Sequence, residues 1–414
     1  MRPTNTFFLF GLLLSASASG ADTKTTPRFD LRIKPLSMDE PRFAISGSIS
    51  YCADDRKVSF FVPRRSTFSF TRNGVPLDVS PNDGIDWPCD KRHADAGAVR
   101  FQGMSPEGIR KCGASHNEVF CLNNSVPNPE VMADWSLYRI RFDLPGGYGA
   151  LVPDSSVELN TGIQFQIAKF RPAQNRKTKR FAFEYRFPSD FHPTEAYLVF
   201  LEETMEGYSD LLGDLPFKKI KVGAIRRDEK RGEISGSPSG NLLLFSRTAF
   251  HDKPNLEGLR SVGIDGDVSD ALRKMVIAHE LSHFWFSRTF MGKDGWMVEG
   301  IPNYLGLVAV RKGSPKDYAE LRKLYEYADA RGPQGAIPNH PFGDGPLYVR
   351  AYYQGAFALV KLGEELGHEN IIGLISAVYQ KNADPEFADF DREFRKTFPS
   401  RTELWERAWR IGEQ

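Results

Sequence analysis

His279-Glu280-Leu281-Ser282-His283 places two imidazoles four residues apart, with a carboxylate next to the first. On an α-helix, positions i and i+4 lie one above the other on the same face, so His279 and His283 can close on one metal ion. Glu280 sits one step round the helix, where its carboxylate can reach a water on that metal without ligating it. The chemistry this spacing offers is hydrolysis by a zinc-activated water, with Glu280 as general base. Histidine is scarce, at 8 of 414 residues, so composition alone gives the pattern about once in a hundred such chains. The alternative is a buried helix that carries two histidines by chance, and the surrounding elements must decide.

Two histidines leave a catalytic zinc one protein ligand short. Glu299 is the next candidate, in Trp296-Met297-Val298-Glu299-Gly300-Ile301-Pro302-Asn303-Tyr304-Leu305. A short loop around Gly292-Lys293-Asp294-Gly295 lets the chain turn back, so that a second helix presents Glu299 to the metal. The alternative is a solvated surface glutamate. Asn303 lies four residues on, on the same helical face, where its side-chain carbonyl is placed to orient His279. A solvent-exposed amide is the competing reading. His93, His116, His192, His251, His340 and His368 show no metal spacing and read as surface or structural residues. Arg350 is a candidate for meeting a substrate carboxylate. Phe284, Trp285 and Phe286 are expected to pack the core.

The elements that must position these groups fall into two halves. Residues from about 27 to 190 alternate apolar and polar in short runs, such as Arg42–Tyr51, Lys57–Val62, Ser66–Phe70, Leu137–Phe142 and Ile163–Ile167. Asn73-Gly74 before Val75-Pro76-Leu77 is a hairpin signal. This pattern predicts a β-sandwich-like domain. Phe187 to Pro193 reads as a linker. Beyond it, a helical stretch near 203–212, strands at Lys219–Ile225 and Asn241–Ser246, and a long helix from Asp267 to Phe286 are expected. Leu272, Met275, Val276 and Ala278 give that last helix its apolar spacing. The predicted organisation is a signal peptide (1–21), a β-rich domain (22–190) and a catalytic domain (191–414), an α+β chain.

Hydrophobic residues make up 41% of the chain, enough for a sizeable core, and 54 basic residues balance 53 acidic ones for a formal charge of +1. That balance excludes nucleic acid and anionic membrane surfaces as charge-driven partners. Arg2, the apolar run Phe7–Leu14 and Ala16-Ser17-Ala18 form a secretory signal with a cleavage site. The expected location is periplasmic or secreted, with no transmembrane segment in the mature chain. Cys52, Cys89, Cys112 and Cys121 suggest one or two disulfides in an exported protein, with the pairing open. A four-cysteine zinc site is the weaker alternative, because no C-x-x-C spacing occurs.

His-Glu-x-x-His followed by Trp-x-x-Glu-Gly is the pattern of the gluzincin metallopeptidases, and the local wording resembles the aminopeptidase N family. Tyr208 to Ile220 is similar to that family's Gly-x-x-Pro-Phe segment at the start of its catalytic domain. Tyr352-Tyr353-Gln354-Gly355-Ala356-Phe357 is similar to its Tyr-x-Lys-Gly-Ala segment. The resemblance spans roughly residues 195 to 380. It implies a thermolysin-like, mainly helical domain holding one zinc ion on His279, His283 and Glu299, a peptide or protein substrate, and a tyrosine that stabilises the tetrahedral intermediate. By position that tyrosine is Tyr352, with Tyr353 as the rival.

Three departures qualify what the resemblance implies. Fifteen residues separate His283 from Glu299, fewer than is usual in the family. The place of the family's amine-gripping Gly-x-Met-Glu-Asn reads as Gly240–Phe245, which holds no carboxylate. Another acid such as Glu233 could substitute. Gln354 stands where the family has lysine, and the family's long helical C-terminal domain has no counterpart before Gln414. Aminopeptidase and endopeptidase activity therefore both stay open. The competing function is a zinc-stabilised binding or scaffolding protein of the same fold, against which the retained Glu280 argues.

Overall fold

The computed structural model describes residues 28–50, 57–61, 67–72, 74–77, 84–86, 99–104, 112–115, 118–122, 128–129, 137–154, 163–227, 234–251, 269–286, 294–340, 345–382 and 385–411. The signal-like segment 1–21, Cys52, Cys89, His93, His116 and Glu233 lie outside the described residues.

The N-terminal part holds two larger sheets face to face and a small three-stranded sheet in the order Asn128–Pro129, Lys57–Phe61, Gly84–Asp86. Strands that alternate apolar and polar residues bury one side, and here each larger sheet buries it against the other. A six-stranded sheet runs in the order Leu137–Phe142, Arg28–Pro35, Phe43–Ser50, Val99–Met104, Thr67–Arg72, Val75–Leu77. The hairpin expected at Asn73-Gly74 is there: Thr67–Arg72 pairs antiparallel with Val75–Leu77. A four-stranded sheet runs Gly149–Leu151, Phe165–Ala168, Glu118–Cys121, Cys112–Ser115. Leu31, Ile33, Phe43, Ile45, Phe70 and Phe101 from the first sheet meet Val119, Cys121, Phe165 and Ile167 from the second in one core. Cys112 and Cys121, directly opposite in register, form a disulfide.

Period two also gives the four-stranded sheet a second apolar face. Phe120, Leu122 and Leu151 pack against Ile225, Leu242 and Leu244 of a further, five-stranded sheet. That sheet runs Gln174–Lys177, Ala182–Arg186, Lys219–Ile225, Leu242–Ser246, Gly236–Ser239. Its three inner strands are parallel and both outer strands antiparallel. Two of its strands precede residue 190, so the sheet draws on both sides of the expected linker.

Helices cover the far face of this sheet. The first spans Glu195–Leu212, longer than the expected 203–212, because Tyr197, Leu198, Leu201, Met205 and Tyr208 already give a continuous buried stripe from its start. The metal-motif helix spans Ser269–Phe286 and is largely buried. It packs against Ile301–Gly313, and Pro315–Arg331, Gly355–Leu366, His368–Lys381, Phe387–Thr397 and Thr402–Trp409 complete the helical layer. Trp296, Phe387, Phe390, Trp405 and Trp409 stack into a single aromatic knot beneath it. The architecture is α+β. Among the described residues no helix is long and apolar enough to cross a membrane.

Candidate active site

His279 and His283 lie in the second half of the Ser269–Phe286 helix, both buried. Their spacing brings the two Nε2 atoms to 3.1 Å. Glu299 enters from the next segment, with Oε2 at 3.3 Å from His279 Nε2 and 3.5 Å from His283 Nε2. The three candidate ligand atoms all lie within 4.8 Å of one another. Fifteen residues are thus enough to return the chain to the helix.

Two π-helical turns set this geometry, and the sequence periodicity gave no hint of them. One spans Trp296–Gly300 and holds Glu299; the other spans Arg350–Gln354 and holds Tyr352. Such turns widen a helix by one residue and re-aim a side chain. They pack closely through two glycines. A Cβ on Gly300 would come within 2.9 Å of the Ala351 carbonyl oxygen, and one on Gly355 within 2.4 Å of Trp296 Cβ.

Asn303 is buried, not solvent-exposed. Its Oδ1 lies 2.9 Å from His279 Nδ1, and its Nδ2 donates to the Tyr352 carbonyl at 2.6 Å. Glu280 accepts a hydrogen bond from the Gly236 backbone N–H at 3.1 Å. Gly236 opens the edge strand, where a Cβ would meet Glu280 Cγ at 2.6 Å. The strand beside the base is therefore Gly236–Ser239, and the placement at Gly240–Phe245 is corrected. Gly240 has φ of 56° and turns the hairpin, while Leu242–Ser246 is the interior partner strand. Gly236–Ser239 carries no carboxylate either.

Electrostatics couple these groups. Burial opposes charge on both His279 and Glu299, but their mutual hydrogen bond and the neighbouring charges prevail. Glu299 is drawn down to about 2 by its contacts with His279 and His283, and His279 is raised by Glu299 and Glu280. An ionised carboxylate thus favours the charged form of the His279 imidazole, a charge demand that a divalent cation also meets. Two nitrogens and one oxygen, converging and buried, form a donor set suited to zinc. Tyr352 is raised well above an ordinary phenol by burial and by Glu299, to which it hydrogen-bonds. Its ring lies 6.1 Å from that of His279, nearly parallel at 13°. Tyr353, the rival, packs instead against Tyr325 at 5.3 Å.

Other expectations separate. Arg350 is not aimed at a substrate: its guanidinium donates to the carbonyls of Gln334, Gly335 and Ala336, because the loop 334–336 turns its backbone towards it. Gln354 is fully buried and donates to the Pro333 carbonyl at 3.0 Å. Phe284 and Phe286 are core residues and Trp285, half-buried, packs against the same core while donating to the Gly213 carbonyl at the end of the first helix. His368 is buried against Tyr304, a structural role. The π-turns, Gly236 and its strand were missed; the only signal for Gly236 was a small-residue run ahead of a buried strand.

No protein-family model matches the chain, and no curated protein matches it in sequence. Solved structures do. The M1 zinc metallopeptidase from Deinococcus radiodurans superposes with a TM-score of 0.61 at 14% identity, over 92% of this chain and 93% of that one. A mutant of a two-domain M1 zinc metallopeptidase bound to L-tryptophan gives 0.61 at 14% identity, over 94% of each chain. Identity this low speaks to fold alone, and on that measure the chain has the fold of an M1 zinc metallopeptidase along nearly its whole length.

Proposed function

We propose that this chain is an exported zinc-dependent peptidase, with His279, His283 and Glu299 as metal ligands, Glu280 as general base and Tyr352 as oxyanion donor. The observation that carries the reading is the buried convergence of two imidazoles and a carboxylate, with Glu280 and Tyr352 at its edge. Zinc held there would polarise the scissile carbonyl and acidify a water towards neutral pH. Glu280 takes the proton from the attacking water and later delivers it to the leaving amine. The Gly236 N–H fixes one Glu280 oxygen, leaving the other for that proton. Tyr352 keeps its phenolic proton at any working pH and so can donate to the developing oxyanion.

The substrate is a peptide or protein. Because Gly236–Ser239 offers no carboxylate to a free α-amine, the site is better suited to cleavage within a chain than to strict removal of N-terminal residues. The signal-like N-terminus and the Cys112–Cys121 disulfide support export. The test is a peptide library in free and N-acetylated forms, incubated with zinc-loaded protein and with Glu280→Gln. Turnover of both forms by wild type alone supports this reading. Turnover of the free form only restores the aminopeptidase assignment. No turnover with zinc retained would leave a zinc-stabilised binding protein of the same fold.

A further inference from the structure

We propose that Tyr348 is a positioning residue for Tyr352, an inference that rests on the catalytic reading of Tyr352 above. The two residues are four apart in the continuous helical stretch Pro346–Gln354, and so share one face. Their rings stack with centroids 4.2 Å apart and planes 28° from parallel. Tyr348 also meets the Tyr353 ring at 6.2 Å, and Tyr353 leans on Tyr325, which is fully buried. The rings form a row from the core, through Tyr325, Tyr353 and Tyr348, to Tyr352.

Tyr348 is 40% exposed, the one large exposed hydrophobic side chain among the described residues that touches this site. Its closest ring contact is the face of a phenol whose oxygen must point at the reacting centre. That phenol hangs on two rotatable bonds. Asn303 fixes its backbone through the Tyr352 carbonyl, and Glu299 and the His279 ring meet its phenol inside the site. The Tyr348 face restrains the ring, and a donor misplaced by about 1 Å loses up to about 10²-fold in rate.

The test is a double-mutant cycle on the zinc-loaded enzyme. Tyr348→Ala should lower kcat by about tenfold with KM and zinc affinity near wild type, since ring placement acts in the transition state. Tyr348→Phe, which keeps the ring face, should restore kcat. In a Tyr352→Phe background, Tyr348→Ala should cost nothing further. Wild-type kcat in Tyr348→Ala, a Phe variant as slow as the Ala variant, or an undiminished loss in the Tyr352→Phe background would each overturn the proposal. A crystal structure of Tyr348→Ala gives a readout independent of turnover. The Tyr352 ring should leave its wild-type rotamer or occupy several, and an unchanged single rotamer would sink the idea. Absence of turnover in the wild type would instead count against the peptidase reading.

Discussion

His279 and Asn303 settle one another's orientation. The Asn303 Nδ2 is committed to the Tyr352 carbonyl, so the atom 2.9 Å from His279 Nδ1 is Oδ1, an acceptor. Nδ1 must then carry a proton, so in the neutral imidazole Nε2, on the Glu299 side, is the nitrogen whose lone pair a metal would take. One amide thus fixes the proton position on His279 and the backbone of Tyr352 together. Asn303→Ala should weaken zinc binding by about 10–100-fold, the usual cost of removing such a support. Competition titration against a chromophoric chelator measures this, and unchanged affinity would contradict the assignment. Asn303→Asp, which keeps the acceptor, should bind zinc better than the alanine variant.

Gly236 bears on Glu280 as Asn303 does on His279. A methyl group there would meet Glu280 Cγ at 2.6 Å and the Phe245 ring at 2.9 Å, so one of them must move. Phe245 is fully buried and sits on an interior strand, which leaves Glu280 as the group that yields. Gly236→Ala should lower kcat by about tenfold or more, because the carboxylate leaves its position for proton transfer. His279, His283 and Glu299 are untouched, so on the zinc reading the metal stoichiometry should stay at the wild-type value. Atomic absorption beside steady-state kinetics checks both, and loss of zinc would point to a wider structural role.

The approach of His279 and His283 was legible because a helix has one period, and i, i+4 geometry follows from it alone. The strands at 43–50, 137–142 and 219–225 were legible for the same reason, with a period of two. Glu299 and Tyr352 were found by local wording, but their π-turns were not, since one inserted residue breaks the 3.6-residue count without leaving a pattern. Gly236 was missed because its role lies in what it lacks, and a missing side chain leaves no periodic trace. The Glu118–Arg247 pair was also invisible: 129 positions separate its members, and nothing local marks either as buried.

The acid limb of stability should reflect the contact between the β-sheets and the catalytic sheet. Burial pushes Asp154 up, but hydrogen bonds from Lys221 and Asn241 more than offset this and hold it below the usual carboxylate range. Asp190 is likewise held low, against burial, by Arg247 and Arg226. A carboxylate depressed in the folded state contributes stability that is present above its unfolded pKa of about 3.9. That contribution is lost as pH falls through the lower folded value. Urea midpoints should therefore drop as pH falls below about 4. The Asp154→Asn/Asp190→Asn double variant should start lower at neutral pH and fall less steeply, and an unchanged acid slope would contradict this.

Arg247 and Glu118 form the most buried ion pair joining the two parts among the described residues, with side chains 5% and 2% exposed and atoms 2.5 Å apart. Glu118 also accepts from Gln166 and from the Arg226 backbone N–H, and Arg247 bridges on to Asp190. Burial nevertheless raises Glu118, against the pull of Arg247, so desolvation is the largest influence on the carboxylate. A pair in that position stabilises little in net terms, yet breaking it is costly, because the partner left behind stays buried and uncompensated. Arg247→Ala should therefore destabilise the protein by about 3–5 kcal/mol. Replacing both members with apolar residues of similar volume, Arg247→Met with Glu118→Leu, should recover most of that loss. Denaturant melts of the three proteins decide the matter. If the double variant were as unstable as the single one, the pair would be contributing attraction in its own right, and the interface would depend on charge rather than on the apolar cluster of Phe120, Leu151 and Leu244 that joins the same sheets.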